Sequence, residues 1–165
     1  MSDTEIAGPG TDEQTARPLD AVDRAMVQAL CEDGRIAMID LAQRVGASRG
    51  NVYQRYERLR REGVIQGFTA RVDPRRLGLP VAAYVSLKVE QDAWRGVRQK
   101  LLALPEVEHV ALTTGDADFV VLVRAGDIHR LRDVILDRLR QVPGVRTTYT
   151  TLILDEQGRG TAMPG

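Results

Sequence analysis

Apolar residues recur along this chain at two different periods, and the change of period divides it. Val22, Met26 and Leu30 fall at i, i+4 and i+8 behind Asp20, whose carboxylate can accept a hydrogen bond from a free N–H at a helix start. The pattern predicts a first helix, which Asp33-Gly34 ends. Ile36 to Val45 predicts a second helix with Leu41, Ala42 and Val45 on one side, and Gly46 suits the left-handed residue that closes it. Ser48 caps a third helix from Arg49 to Glu62, where Val52, Tyr56 and Leu59 form an apolar stripe at i, i+4 and i+7. At about 100° per residue, Gly50, Gln54, Glu57, Arg58 and Arg61 point the opposite way. Three helices with a tight turn between the last two make a helix-turn-helix, whose final helix can enter a major groove. The other reading of the same stretch is an ordinary helical hairpin with a solvated face.

Residues 63–72 alternate between small or apolar and polar side chains and predict a strand or wing-like ribbon. Residues 73–80 are rich in turn formers and mark a boundary. Beyond it a motif repeats: Leu101-x-x-Leu104-Pro105-x-Val107 and Leu139-x-x-Val142-Pro143-x-Val145. In each copy a helical pattern runs into a proline, which cannot continue it, and a strand follows. Val81–Val89, Val107–Thr113, Phe119–Val123 and Val145–Leu154 predict four strands, and Ala93–Ala103 and Ile128–Leu139 two helices. Strand-helix-strand twice over predicts a ferredoxin-like βαββαβ domain with one open sheet face, which a second copy of the chain could cover. The fold class is therefore α+β, an N-terminal helix-turn-helix domain (19–65) followed through a strand or linker (66–79) by a ferredoxin-like domain (80–156). Residues 1–18, rich in Gly, Pro and acids, are expected to be a disordered tail, and 157–165 a second tail.

Charge sharpens the first half of this picture. The 165 residues carry no net charge, but from Arg44 to Arg76 nine arginines stand against Glu57, Glu62 and Asp73, a net +6. The first eighteen residues carry Arg17 against Asp3, Glu5, Asp12 and Glu13, a net −3. Positive charge thus sits where the helix-turn-helix lies, as contact with double-stranded DNA requires. Gln54 and Asn51 can pair with adenine, and Arg49, Arg58 and Arg61 with guanine or phosphate. Arg55, at the edge of the apolar stripe, fits a structural ion pair as well as a phosphate contact. Ser48 is a cap whose neighbouring N–H groups can meet a phosphate.

In the second domain, Thr113-Thr114-Gly115-Asp116-Ala117-Asp118 joins the middle strands. The carboxylates of Asp116 and Asp118 can hold an ammonium group, and loop N–H groups a carboxylate, so the stretch reads as a zwitterion site or as a plain turn. Thr113, Thr114, Thr148 and Thr150 are candidate hydroxyl donors on what are expected to be neighbouring strands. Cys31 is the only cysteine, so no internal disulfide forms, and it is expected to fill core space on the first helix. His109 and His129 lack metal-ligand spacing, and no nucleophile–base pair or phosphate-binding glycine loop occurs, so neither a metal nor a cofactor is expected. No signal peptide and no membrane-spanning run are read, which makes a cytoplasmic protein the expectation.

In their order along the chain, these motifs resemble the Lrp/AsnC (feast/famine) family of transcription regulators. The resemblance rests on Leu19-Asp20-x-x-Asp23, Asp33-Gly34-Arg35, Asp40-Leu41-Ala42, Val45-Gly46-x-Ser48 and Val52-x-x-Arg55-x-x-Arg58-Leu59-x-x-x-Gly63-Val64-Ile65-x-Gly67. It continues through Thr114-Gly115-Asp116-x-Asp118 and Leu139-x-x-x-Pro143-Gly144-Val145, and so covers Leu19 to Glu156. It implies a winged helix-turn-helix and a RAM-type ferredoxin-like domain. It further implies a homodimer assembling to an octamer, and a small effector, commonly an amino acid, bound between subunits near Gly115, Asp116 and Asp118. The chain departs from the family in its longer acidic tail, in Gly50 within the first turn of the recognition helix, and in Ala117 where many members carry an aromatic residue. Two other functions share features of the pattern: an architectural DNA-binding protein without effector, and an enzyme of the sirohaem-decarboxylase type.

Overall fold

The computed structural model describes residues 17–156, so the expected tail at 1–18, save Arg17 and Pro18, and that at 157–165 lie outside the described residues. The chain forms two compact units, one ending at Thr69 and one beginning at Ala70.

The first unit is three helices. Helix α1 (Ala21–Glu32) starts at a reciprocal cap: the Asp20 carboxylate accepts from the Asp23 N–H at 2.9 Å, and the Asp23 carboxylate accepts from the Asp20 N–H at 3.1 Å. Helix α2 (Met38–Arg44) ends at Gly46, whose φ of +64° is the left-handed conformation that suits glycine. Helix α3 spans Arg49–Arg61. Met26, Ala29, Leu30, Leu41, Ala42, Val52 and Leu59 form the core, with Tyr56 and Ile65 packed against it. Cys31 is exposed, against expectation, because it lies one residue past Leu30 and about 100° off the buried stripe. The ribbon expected at 63–72 is also absent. After Gly63 no strand forms before Val81, and Val64, Phe68 and Val72 stay exposed. An alternating segment becomes a strand only when a neighbouring strand pairs with it, and here the Gly63 and Ile65 N–H groups instead turn back to the Arg60 and Leu59 carbonyls at 3.1 Å each.

The second unit is a four-stranded antiparallel sheet in the order β2-β3-β1-β4, built from β1 (Val81–Val89), β2 (Val107–Leu112), β3 (Phe119–Ala125) and β4 (Val145–Ile153). Period-2 alternation sends Ala83, Val85 and Leu87 of β1, with Phe119, Val121 and Val123 of β3, to one face. Val97 and Leu101 of α4 (Trp94–Leu102) and Leu131 of α5 (Ile128–Asp133) close over that face. Beyond Asp133 the helix widens into a π-helix over Val134–Leu139. Val134 and Leu139, at the two ends of that segment, are both buried in the core of this unit. Gly144 admits no side chain: a Cβ there would stand 2.5 Å from that of Ala93, and its φ is +97°. The opposite face carries Tyr84 beside Leu122, and Ser86 between Val120 and Tyr149. No described helix covers it, and Tyr84 and Tyr149 are 46% and 69% exposed.

This packing predicts a sharp contrast between two apolar truncations. Phe119→Ala, at a fully buried site, is expected to cost about 3–5 kcal/mol by chemical denaturation. Leu102→Ala, at a half-exposed site on α4, is expected to cost about 0.5 kcal/mol.

Candidate DNA-binding face and effector loop

Two residues of α3 that the sequence leaves as DNA candidates turn inward. Asp23 is the one buried charged residue among those described, 1% exposed. Its carboxylate accepts from Arg55 Nη1 at 2.8 Å and pairs with Arg58 Nη2 at 2.7 Å. Arg55 also donates to Asp20 at 2.6 Å and to Asn51 Oδ1 at 2.7 Å, and Arg58 reaches Glu62 at 3.2 Å. The expectation that Arg58 points outward is therefore corrected. Its guanidinium folds back across the edge of α3 because a buried carboxylate demands compensation. Arg55 makes the structural ion pair that its place at the edge of the apolar stripe suggested.

Electrostatics follow from this geometry. Burial works to raise the pKa of Asp23, but hydrogen bonds from Arg58, Arg55 and the Asp20 N–H outweigh it and bring the value down to about 2. Asp20 is likewise lowered, chiefly by the Asp23 N–H and then by Arg55.

The remaining surface of α3 is a coherent polar face. Arg49, Gly50, Asn51, Tyr53, Gln54, Glu57, Arg60 and Arg61 are exposed. Ser48 caps the helix by accepting from the Asn51 N–H at 3.3 Å, which fixes where this face begins. The Arg49 guanidinium lies 5.6 Å from the centre of the Tyr53 ring. Arg49, Arg60 and Arg61 make no ion pair with a described residue, whereas Arg44 pairs with Glu32. Tyr53 and Arg60 are additions to the sequence-based set. Their helical positions beside Arg49 would have placed them there, had the flank of the outward face been read as well as its centre.

In the second unit the Thr113–Asp118 segment is a tight loop. Gly115 has φ +104°, Thr113 N–H donates to the Asp118 carbonyl at 2.8 Å, and Thr113 Oγ1 donates to the Ala117 carbonyl at 2.7 Å. Asp118 is partly occupied: its Oδ2 accepts from the Val89 N–H at 2.8 Å and its own N–H donates to the Leu87 carbonyl at 2.9 Å. Asp116 and Thr114 are exposed. Thr148 and Thr150 are not on a strand next to Thr113, as expected, but on β4 at the far edge of the sheet, with β3 and β1 between. At about 4.8 Å per strand, Thr148 stands roughly 10 Å from Phe119, so one chain does not gather all four threonines. A cavity of about 690 Å³ lies elsewhere, lined by Glu106, Arg124, Ala125, Val134 and Asp137 at the sheet end opposite Gly115. No group of His, Cys, Asp and Glu among the described residues could hold a metal ion. No helix among them is long and apolar enough to cross a membrane.

A capped helix-turn-helix followed by a one-faced sheet with a tight acidic loop defines a two-domain DNA-binding regulator. The comparisons agree: a winged helix-turn-helix DNA-binding model matches residues 19–66, and the Lrp/AsnC ligand binding domain matches residues 82–163. The chain is 33% identical over 147 residues to the HTH-type transcriptional regulator FL11 of Pyrococcus horikoshii, covering 89% of this chain and 97% of that one. It is 31% identical over 143 residues to the leucine-responsive regulatory protein of Escherichia coli, covering 85% and 87%. A transcriptional regulator of Neisseria meningitidis, solved as its L-Met complex, superposes with a TM-score of 0.81 at 25% identity, covering 89% and 97%. The chain belongs to the Lrp/AsnC family of transcription regulators.

The Asp23 cluster sets the acid stability of the first unit. A folded-state pKa of about 2, below the unfolded value, stabilises the unit fully above about pH 4 and is lost as pH falls toward 2. That loss is expected to be about 2 kcal/mol, measurable by denaturation at stepped pH, with Asp23→Asn flattening the dependence. Arg58→Ala is expected to destabilise the unit by about 3–5 kcal/mol, since it strands part of a buried charge.

Proposed function

We propose that this chain is a cytoplasmic homodimeric regulator, assembling further to an octamer, that reads double-stranded DNA with the outward face of α3 and responds to an amino acid. What carries the reading is the division of labour on α3. Arg55 and Arg58 are tied to Asp23, while Arg49, Tyr53, Gln54, Arg60 and Arg61 are exposed on one side, with Asn51 among them but bound through its Oδ1 to Arg55. Gln54 and Asn51 suit adenine, Arg49 and Arg61 suit guanine or phosphate, and Glu57 suits the amino group of cytosine. The uncovered sheet face with Tyr84, Leu122 and Tyr149 supports the dimer, because apolar area of this kind is stabilised when a second copy removes it from water. Two-fold symmetry would place two α3 helices on half-sites one helical turn or a multiple apart.

For the effector, the exposed Asp116 carboxylate and the remaining oxygen of Asp118 offer an ammonium site beside Gly115 and Thr114. One relative is named for its response to leucine and another was solved with L-Met, which favours an amino acid here. Such a ligand changes DNA binding only if it prefers one assembly or conformation over another.

Gln54→Ala and Arg61→Ala are each expected to weaken binding to a selected DNA site, by about 1–3 kcal/mol where the residue meets a base. An unaltered affinity in both variants, read by anisotropy at near-physiological salt, would contradict the DNA face. Calorimetry of the full chain against the amino acids is expected to show a binder that Asp116→Asn weakens. Asp116 is the cleaner probe, since Asp118→Ala also removes the bond to Val89. If no amino acid binds, the architectural reading takes over.

A further inference from the structure

We propose that Gly50 sets how closely α3 approaches DNA, its missing side chain letting the helix backbone come near enough for Gln54 to reach base edges. The inference rests on the DNA-binding reading of α3 above. Gly50 is the second residue of α3 and shares its outward ridge with Gln54, Glu57 and Arg61, on the side opposite Val52 and Leu59. Nothing among the described residues calls for glycine there. Its φ is not positive, unlike that of Gly46 or Gly144, and a Cβ built on it meets no atom within 4 Å, whereas one on Gly144 collides with Ala93. Glycine is among the weakest helix formers, so at this position it weakens the helix it belongs to.

The reason lies outside the chain. Large side chains surround the position, with Arg49 before it and Tyr53 and Gln54 one turn on, so Gly50 is a notch in the outward surface. A recognition helix meets base edges mainly through its N-terminal residues, where it lies nearest the groove. Gly50 and Gln54, one turn apart, would face the same few bases. A methyl group at the notch would hold the helix off by a fraction of its own diameter. Hydrogen bonds weaken steeply beyond about 3.2 Å, so a bidentate Gln54–adenine pair would not survive that displacement.

The test compares full-length wild type with Gly50→Ala and Gly50→Leu on the duplex that wild type enriches from a random-sequence pool. Both substitutions raise helix propensity, so melting temperature is expected to rise by a few degrees in each variant. Affinity for the enriched duplex is expected to fall at least tenfold with alanine and further with leucine. Affinity for unrelated duplex at low salt, which depends on phosphate contacts, is expected to change much less. A more stable alanine variant that binds the enriched duplex as tightly as wild type overturns the proposal. So does a variant that loses both stability and binding, because glycine would then serve the fold. A wild type that enriches no sequence is a different result, which removes the DNA reading of α3 and this inference with it.

Discussion

One buried carboxylate fixes the N-terminal unit. Asp23 lies in the first turn of α1, where it closes the cap with Asp20, and it reaches across to two guanidiniums on α3. A charge so buried is tolerable only when nearly every lone pair is matched, and here three donors meet it. The same contacts decide the function-facing surface. By drawing Arg55 and Arg58 inward they leave Arg49, Arg60 and Arg61 as the outward cations of α3. Through Arg55 they also hold the side-chain oxygen of Asn51, so one candidate base reader is positioned by the scaffold itself.

The second unit is governed by a different constraint, the filling of one sheet face and the neglect of the other. Its core is wholly apolar, and its helices, including the π-helix that carries the buried Leu139, lie on one side. The edge strand β2 is flanked by charge, with Glu106 paired to Arg138 and Glu108 to Arg124, which discourages indiscriminate pairing there. Arg124 lies toward one end of the open face, beside Ala82, but further along, that face presents Tyr84, Leu122, Val120 and Tyr149. Asp118 ties the acidic loop to the end of β1, so the loop is a rigid appendage of the sheet, and a ligand seated on it would act on a stiff element.

Much of this architecture was legible in the chain. The apolar periods located α1, α2 and α3 to within a residue or two, and β1 in full, because burial of apolar side chains leaves a local trace. The repeated Pro-x-Val motif located the turns into β2 and β4 for the same reason. The cap at Asp20 and the left-handed turn at Gly46 were equally local, since both concern atoms a few residues apart.

Tertiary structure decided the rest. Whether an arginine is bound or available depends on which acid a distant segment brings to it, and Arg55 lies 35 and 32 residues from Asp20 and Asp23. No helical wheel contains that information, so Arg58 read as outward although its guanidinium is bound to Asp23. The segment expected as a strand at 63–72 had a suitable alternation but is not paired with any of the four described strands, because pairing is a property of two segments and not of one. Likewise Thr148 and Thr150 were placed beside Thr113 by chain order, whereas the sheet order β2-β3-β1-β4 sets them at its opposite edge. Sequence by itself determined which segments are helix, strand and core, because hydrophobic burial is written residue by residue. Only the folded chain settled which charges and hydroxyls are neighbours, because those contacts join residues whose separation along the chain carries no periodic signal.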